Sequence, residues 1–310
     1  MKQKKVAICI PACKRPEWLG LLLQSLTQLQ FYKNSLLDLL VVVVDNDFSG
    51  SSKMAAGRYA SYLPLIYAIE PVQNISLARN KAVAIAGEVD CEYIAFVDDD
   101  EFVVPLWLDE LLSTQEKYAA DLVIGPVIPV FAGSAPEWIV KGGFFNRKRY
   151  TTGQRIRWGS TGNVLIKREL LDRLDIHFDR KFGLTGGEDT HFFERLYRMD
   201  AKIVWSNEAV IKENIPLSRT NLRWLLRRSH FGGNTLALVE KDLAFSKNWA
   251  VFRFLKGIGR ILQGCTLFLP SLLFGRAPAV KSLACIARGV GMLSGIFGFR
   301  FEEYKRIHGS

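Results

Sequence analysis

The stretch YIAFVDDDE, residues 93–101, decides how the chain is read: an apolar run of strand character leads directly into the four acids Asp98, Asp99, Asp100 and Glu101. Acidic side chains so close together repel and raise one another's pKa, so a divalent cation is the natural compensating partner. An all-oxygen set suits Mg²⁺ or Mn²⁺, which keep some waters and bridge to diphosphate oxygens. The plainer reading is a solvated acidic turn capping the next helix. The strand that delivers the acids argues against it.

Outward from this run the chain alternates strand and helix patterns, which calls for a mostly parallel sheet with crossover helices. Strands are expected over residues 6–10, ended by Pro11, over 39–44, stopped by Asp45, and over 65–69 and 93–97. Helices are expected over 18–31, 51–61 and 76–86. In open α/β sheets ligands bind beyond the carboxyl ends of strands, where Asp45 and Asp98 lie. Downstream come a helix over 106–118, one strand over 122–130, an irregular segment over 131–162, strands over 164–166, 202–205 and 209–212, and a helix over 190–198. A long loop such as 131–162 is often functional.

A second acidic feature is GLTGGEDTHFFERL, residues 183–196, where two glycines precede Glu188 and Asp189 at the start of a helical pattern. Acids there are ordinary helix caps and dipole partners. The glycines also allow close approach of a ligand, and a carboxylate so placed can serve as a general base.

Charge divides the chain. Of 41 Lys and Arg, 14 lie in residues 221–310 beside only 4 acids, whereas the two signs balance over 1–220. The basic residues of the C-terminal part are interspersed with apolar ones, which suits an anionic membrane surface better than a nucleic acid. Its apolar blocks, 261–275 and 289–299, are shorter than a bilayer requires, and Pro270 and Pro278 fall in or near the first. Two or three short amphipathic helices lying in the interface are expected. The alternative is a helical subdomain packed on the body. Five cysteines without CxxC spacing indicate neither a disulfide framework nor a zinc site and fit a reducing cytosol. The first residues do not read as a signal peptide.

Taken in order, IPACKRPEWL, VVVVDND, SLARNKAVAIA, FVDDDE, GGED and RRSHFGG resemble the family 2 inverting glycosyltransferases of GT-A fold over residues 5–235. The form of the chain is similar to bacterial enzymes that extend lipid-linked exopolysaccharide units. The resemblance implies a GT-A catalytic domain over 1–220, with a nucleotide-sugar-binding half at 1–120 and an acceptor-binding half at 121–220. A basic, apolar, membrane-associating helical region follows at 221–310.

The resemblance also implies roles. Asp45 contacts the nucleotide base, with Pro11, Ala12 and Arg15 lining the same pocket, and Arg79 holds the nucleotide or its diphosphate. Asp98 lies near ribose and metal, Asp99 is the tolerant middle position of the donor site, and Asp100 ligates Mn²⁺ or Mg²⁺ directly. Asp189 is the catalytic base and Glu188 assists it or positions the acceptor. His230 is a further candidate metal ligand, Arg227 and Arg228 are candidate diphosphate contacts, and Trp158 and Asn163 are acceptor-side candidates. Asn46, between Asp45 and Asp47, departs from the usual acidic pair and leaves the base contact ambiguous.

The implied activity is transfer of a hexose from a UDP-sugar to a saccharide, itself lipid-linked, with no nucleic-acid partner. The implied place is the inner face of the cell membrane. A polyprenyl-phosphate glycosyltransferase, a nucleotidyltransferase, and a non-catalytic membrane or nucleic-acid binding protein on a degenerate transferase fold are the alternatives. The second would show a Gly-rich phosphate loop after the first strand, which Pro11-Ala12-Cys13-Lys14-Arg15 is not.

Overall fold

The computed structural model describes residues 3–34, 36–175, 177–243, 246 and 248–301; the tail 302–310 of the basic C-terminal region lies outside the described residues. The first half runs β1 (Lys4–Ala12), α1 (Pro16–Leu26), β2 (Leu37–Asp45), α2 (Lys53–Gly57), β3 (Leu65–Ile69), α3 (Ile75–Glu88) and β4 (Tyr93–Phe96). Next come β5 (Glu101–Val103), α4 (Trp107–Tyr118), β6 (Leu122–Ile124), β7 (Val127–Phe131), α5 (Glu137–Gly142), β8 (Val164–Lys167) and α6 (Arg168–Leu171). The chain closes with α7 (Glu188–Arg198), β9 (Ile203–Trp205), β10 (Ile211–Ile215), α8 (Leu222–Asp242), α9 (Trp249–Leu272) and α10 (Arg276–Ile296).

Seven strands form one sheet in the order β3-β2-β1-β4-β8-β6-β9. All its pairings are parallel except those of β8 with β4 and β6. The mostly parallel sheet expected from the sequence is thus present, with one reversed strand. Val41, Val42, Val43 and Val44 are all fully buried, as a strand covered on both faces requires, and each contributes about 1.5–3 kcal/mol. Helix α1 starts with Pro16 in its first turn, where a missing N–H costs nothing, and turns Leu19, Leu22, Leu23 and Leu26 to the core. It stops at Leu26, short of the expected residue 31. Helix α2 is likewise shorter than its pattern.

After β3 the chain returns to the other side of β1 to lay down β4, so the strand order reverses between β1 and β4. Crevices at such switch points are where α/β sheets bind ligands. The loop Pro11–Arg15 and the acids Asp98–Asp100 both open into this one.

The single strand expected over 122–130 is two. Gly125 and Pro126 separate β6, in the large sheet, from β7, which joins β10 and β5 in a three-stranded sheet. Proline has no N–H for a ladder; its carbonyl instead accepts from Ile211 N at 3.1 Å, which starts the β7–β10 pairing.

The C-terminal helices are not short, and this corrects the expectation. Pro278 sits in the first turn of α10, where proline is tolerated, and Pro270 lies inside α9 only two residues before its end, where it breaks one i→i−4 bond without shortening the helix much. Helix α10 is the one described helix long and apolar enough to cross a membrane, with a mean hydropathy of 1.3. It lies packed between α8 and α9.

Candidate active site

The crevice between β1 and β4 opens into a cavity of about 540 Å³. One wall carries Pro11, Ala12, Arg15, Asn46, Asn74 and Arg79, and the floor Asp98, Asp99, Asp100 and Glu101. Glu188 and Asp189 enter from α7. The facing wall combines Phe144, Phe145 and Arg147 with Trp224 and Arg228 of α8 and Ala284 of α10. Phe145 and Trp224 stack there with centroids 5.4 Å apart.

Arginines organise the acids. Arg15 lies 2.5 Å from both Asp99 and Asp100, and Arg219 reaches the same Asp100 oxygen, Oδ2, at 3.3 Å. Arg79, almost wholly buried on α3, bridges Glu188 at 2.5 Å and Asp98 at 3.0 Å. Arg147 and Arg219 pair with Glu213 at 2.7 and 3.3 Å. The fourth acid of the run turns inward: Glu101 accepts the Asp98 N–H at 2.9 Å and shapes the turn, and burial, with Asp98 and Asp100 nearby, pushes its pKa far up.

Burial raises Asp99 to about 7 although Arg15 opposes it. Burial acts on Asp100 in the same sense, but Arg15 and Arg219 outweigh it and hold that carboxyl below its ordinary range.

The residues fit a divalent cation. Seven carboxyls line the cavity (Asp98, Asp99, Asp100, Glu101, Glu188, Asp189, Glu213) against five guanidiniums (Arg15, Arg79, Arg147, Arg219, Arg228). With Glu101 held protonated and Asp99 and Glu188 raised to about 7 the charges come near balance, so the fit rests on the oxygen donors that Asp98 and Asp100 bring to the cavity. The ion-pairing arginines close on Oδ1 of Asp98 and Oδ2 of Asp100, and both side chains line the cavity. Asp179, His191 and Asp242 also gather within 4.8 Å, outside this cavity. There Lys181 sits between the acids, 2.9 Å from Asp179 and 2.5 Å from Asp242, and already supplies the positive charge.

Helix α7 begins on two left-handed glycines, Gly186 at φ +69° and Gly187 at φ +93°. A Cβ on Gly187 would meet Thr235 Cγ2 at 2.1 Å, so both conformation and space demand glycine. Asp189 Oδ1 accepts from Thr190 N at 2.6 Å and Thr190 Oγ1 at 3.3 Å. Among the described residues no hydrogen bond to its Oδ2 is present, and the side chain lines the cavity.

Glu188 is driven up to about 7 by burial, against the pull of Arg79. The folded protein therefore keeps this proton between about pH 4.3 and about pH 7, where the unfolded chain has lost it, and stability falls as pH rises through that window. Thermal unfolding is expected at a lower temperature at about pH 8 than at about pH 6. Asp99, also raised to about 7, contributes with the same sign, so Glu188→Gln should lessen the trend without removing it; an unchanged slope would place the titration elsewhere.

Several sequence candidates lie elsewhere. Asp45 is fully buried behind Asn46, its Oδ2 held by Ser52 N at 2.7 Å and the Tyr67 hydroxyl at 2.8 Å, and Asn46 lines the cavity in its place. Asn163 is a core bracket: it donates to the carbonyls of Pro126 and Ala209 at 3.0 and 2.8 Å and accepts from Trp107 Nε1 at 2.8 Å. The His230 ring packs edge-on against Phe301, and burial lowers its pKa. Arg227 lies over the same Phe301 ring, whereas Arg228 does line the cavity. Trp158 is half-exposed and belongs to a separate groove beside α9. Arg147, Glu213 and Arg219 are cavity residues that sequence reasoning misses, because their sequence neighbourhoods carry no motif.

A mostly parallel sheet with a carboxylate-lined crevice at its switch point has the form of a GT-A-like enzyme, and the chain belongs to glycosyl transferase family 2, whose model matches residues 7–175. It is a glycosyltransferase. Succinoglycan biosynthesis protein ExoM of Rhizobium meliloti (strain 1021) is 30% identical over 311 residues, covering 98% of this chain and 97% of ExoM. Among solved structures, S. aureus TarS superposes with a TM-score of 0.58 at 15% identity, over 92% of this chain and 55% of TarS. TarS 1-349 in complex with UDP-GlcNAc gives 0.55 at 16% identity, over 92% of this chain and 90% of that one. These structures share the GT-A-like arrangement of a mostly parallel sheet, here followed by C-terminal helices.

Proposed function

We propose that the protein transfers a hexose from a UDP-sugar, with inversion and with a divalent metal, to a saccharide on a lipid carrier during bacterial surface polysaccharide synthesis. The observation that carries this reading is Arg79, which ties the acids at the end of β4 to the start of α7 and so holds donor-binding and proton-accepting carboxylates in one cavity. ExoM, named for succinoglycan biosynthesis, and TarS, bound to UDP-GlcNAc, support the polysaccharide and donor assignments.

Residues 1–120 bind the donor, with Pro11, Ala12, Arg15, Asn46 and Arg79 around the nucleotide and diphosphate. Residues 121–220 contribute the acceptor side, and residues 221–310 complete the acceptor wall and bring the enzyme to the inner face of the membrane. Asp98 and Asp100 hold Mn²⁺ or Mg²⁺, which when bound neutralises the leaving diphosphate. Asp189 takes the proton of the acceptor hydroxyl as its oxygen bonds to the anomeric carbon and the bond to the β-phosphate breaks. Arg15, Arg219 and Arg228 face the charge that develops on the departing UDP, and guanidinium forks match phosphate oxygens. Glu188, occupied by Arg79, fixes the start of α7.

UDP release from a panel of UDP-sugars, with detergent-extracted lipid-linked acceptor, is expected with Mn²⁺ or Mg²⁺ and to fall at least tenfold with chelator. Equal turnover with chelator would remove the metal from the account. Absence of turnover with every UDP-sugar would remove the donor.

A further inference from the structure

Helix α9 is the most solvent-exposed long element of the described fold. It lies against α10 and barely meets α8, and it buries only Arg253, Gly257, Gly264 and Ser271. At 3.6 residues per turn these four share one stripe, and residues 251, 255, 262, 269 and 273 fall opposite it. Those positions are Val251, Leu255, Leu262, Leu269 and Leu273, all exposed, with Leu269 and Leu273 at 71% and 86%. An unbroken apolar ridge of this size calls for a partner.

The charge around the ridge selects that partner. Residues 243–301 contain eight Lys and Arg and no Asp or Glu. A groove along α9 holds Lys256, Arg260 and Arg288, none of which pairs with a carboxylate among the described residues. Arg288 is pressed by burial, and by Arg260 and Arg253 beside it, toward a lower pKa. Arg253 is already matched, by Glu240. Trp158 and Phe252 line the same groove, and tryptophan favours the level of lipid head groups. A second copy of the chain laid on this face would bring the same cations toward one another, whereas an anionic bilayer complements both ridge and groove.

We propose that α9 is a monotopic docking helix: its ridge of Val251, Leu255, Leu262, Leu269 and Leu273 lies in the acyl boundary of an anionic bilayer, and Lys256, Arg260 and Arg288 hold lipid phosphates. The proposal rests on the membrane-surface reading above and specifies its element. Helix α10, the one with the composition of a span, is an internal spacer, since Gly289 abuts α9 at Gly257 and Gly291 abuts α8 at His230. Ala284 of α10 lines the cavity while Cys285 Sγ donates to the Arg260 carbonyl of α9 at 3.3 Å. One helix layer, about 8–10 Å between axes, therefore separates the docking helix from the active site, within reach of a lipid-linked acceptor.

Flotation of the full chain with vesicles tests this. Binding is expected to vesicles of phosphatidylcholine with phosphatidylglycerol, weaker with phosphatidylcholine alone, and to fall with salt. Leu262→Glu with Leu269→Glu should reduce binding at least tenfold. Arg260→Gln with Arg288→Gln should reduce it about tenfold and blunt the salt dependence. Tyr62→Glu, an equally exposed site near the far sheet edge, should leave it unchanged. Circular dichroism checks that both double variants stay folded, and UDP-sugar hydrolysis in solution reports on the transferase reading separately. Wild type that ignores anionic vesicles, a leucine double variant that still floats, or a lipid-free dimer dispersed by that variant would each overturn the proposal.

Discussion

Asp189→Asn is expected to lower the turnover of sugar transfer by about 10²–10⁴-fold while leaving donor affinity nearly unchanged. Asparagine keeps the anchor, because its carbonyl oxygen can accept from Thr190 N as Oδ1 does now at 2.6 Å. It keeps the start of α7 as well, since the left-handed Gly186 and Gly187 set the backbone there. What it loses is the oxygen that takes a proton. Steady-state UDP release with acceptor, set beside donor binding by calorimetry, separates the two effects. A variant with wild-type turnover would remove Asp189 as the base, and one that simply failed to bind donor would make it a binding residue.

Arg79→Met is expected to cost about 3–5 kcal/mol of folding stability and to abolish transfer, because it strands Glu188 in a buried site without its cation. Glu188 is 2% exposed, and its Oε2 has no partner even in the intact protein. The sign of the pH effect follows. A Glu188 deprived of Arg79 takes a proton more readily, so the loss should be smaller at about pH 6 than at about pH 8. Adding Glu188→Gln should recover most of the stability but not the activity, since Asp98 would still lack Arg79. Urea denaturation of the two single variants and the double variant measures the coupling. Independent, additive losses would show that the bridge carries no energy.

Both residues stand in motifs that were legible in the chain, and the reasons are local. A buried strand ending in acids and a pair of glycines before Glu188-Asp189 are signals that neighbouring residues carry on their own. The β1–β4 switch point was implied by alternation alone, because each parallel crossover leaves its strand end on the same side of the sheet. What stayed hidden depended on distant pairing. Arg219 meets Asp100 across 119 positions, and the three-residue β5 and the division of 122–130 into β6 and β7 arise only because a second sheet forms around β10.

The candidates that moved away from the cavity did so for physical reasons. Asn163 has its amide consumed by two buried carbonyls. His230 sits on the α8 face turned toward Phe301 rather than the one carrying Arg228 into the cavity. Trp158 follows Arg157, whose guanidinium lies over its ring at 4.9 Å and whose pairing with Glu194 directs the segment toward α9. The prolines misled for a different reason: Pro278 falls in a first turn, where its missing N–H costs nothing, and Pro270 falls two residues before α9 ends, where the bond it removes leaves the rest of the helix intact.

The proposed reaction is a single displacement at one cavity, with one carboxylate accepting the acceptor proton. The most direct measurement is the proton NMR spectrum of the first glycoside formed from an α-linked UDP-hexose, recorded before any mutarotation of released sugar. A β-glycoside is expected as the initial product, and its loss in Asp189→Asn. An α-glycoside as the first product would contradict it, because a single displacement inverts the anomeric carbon.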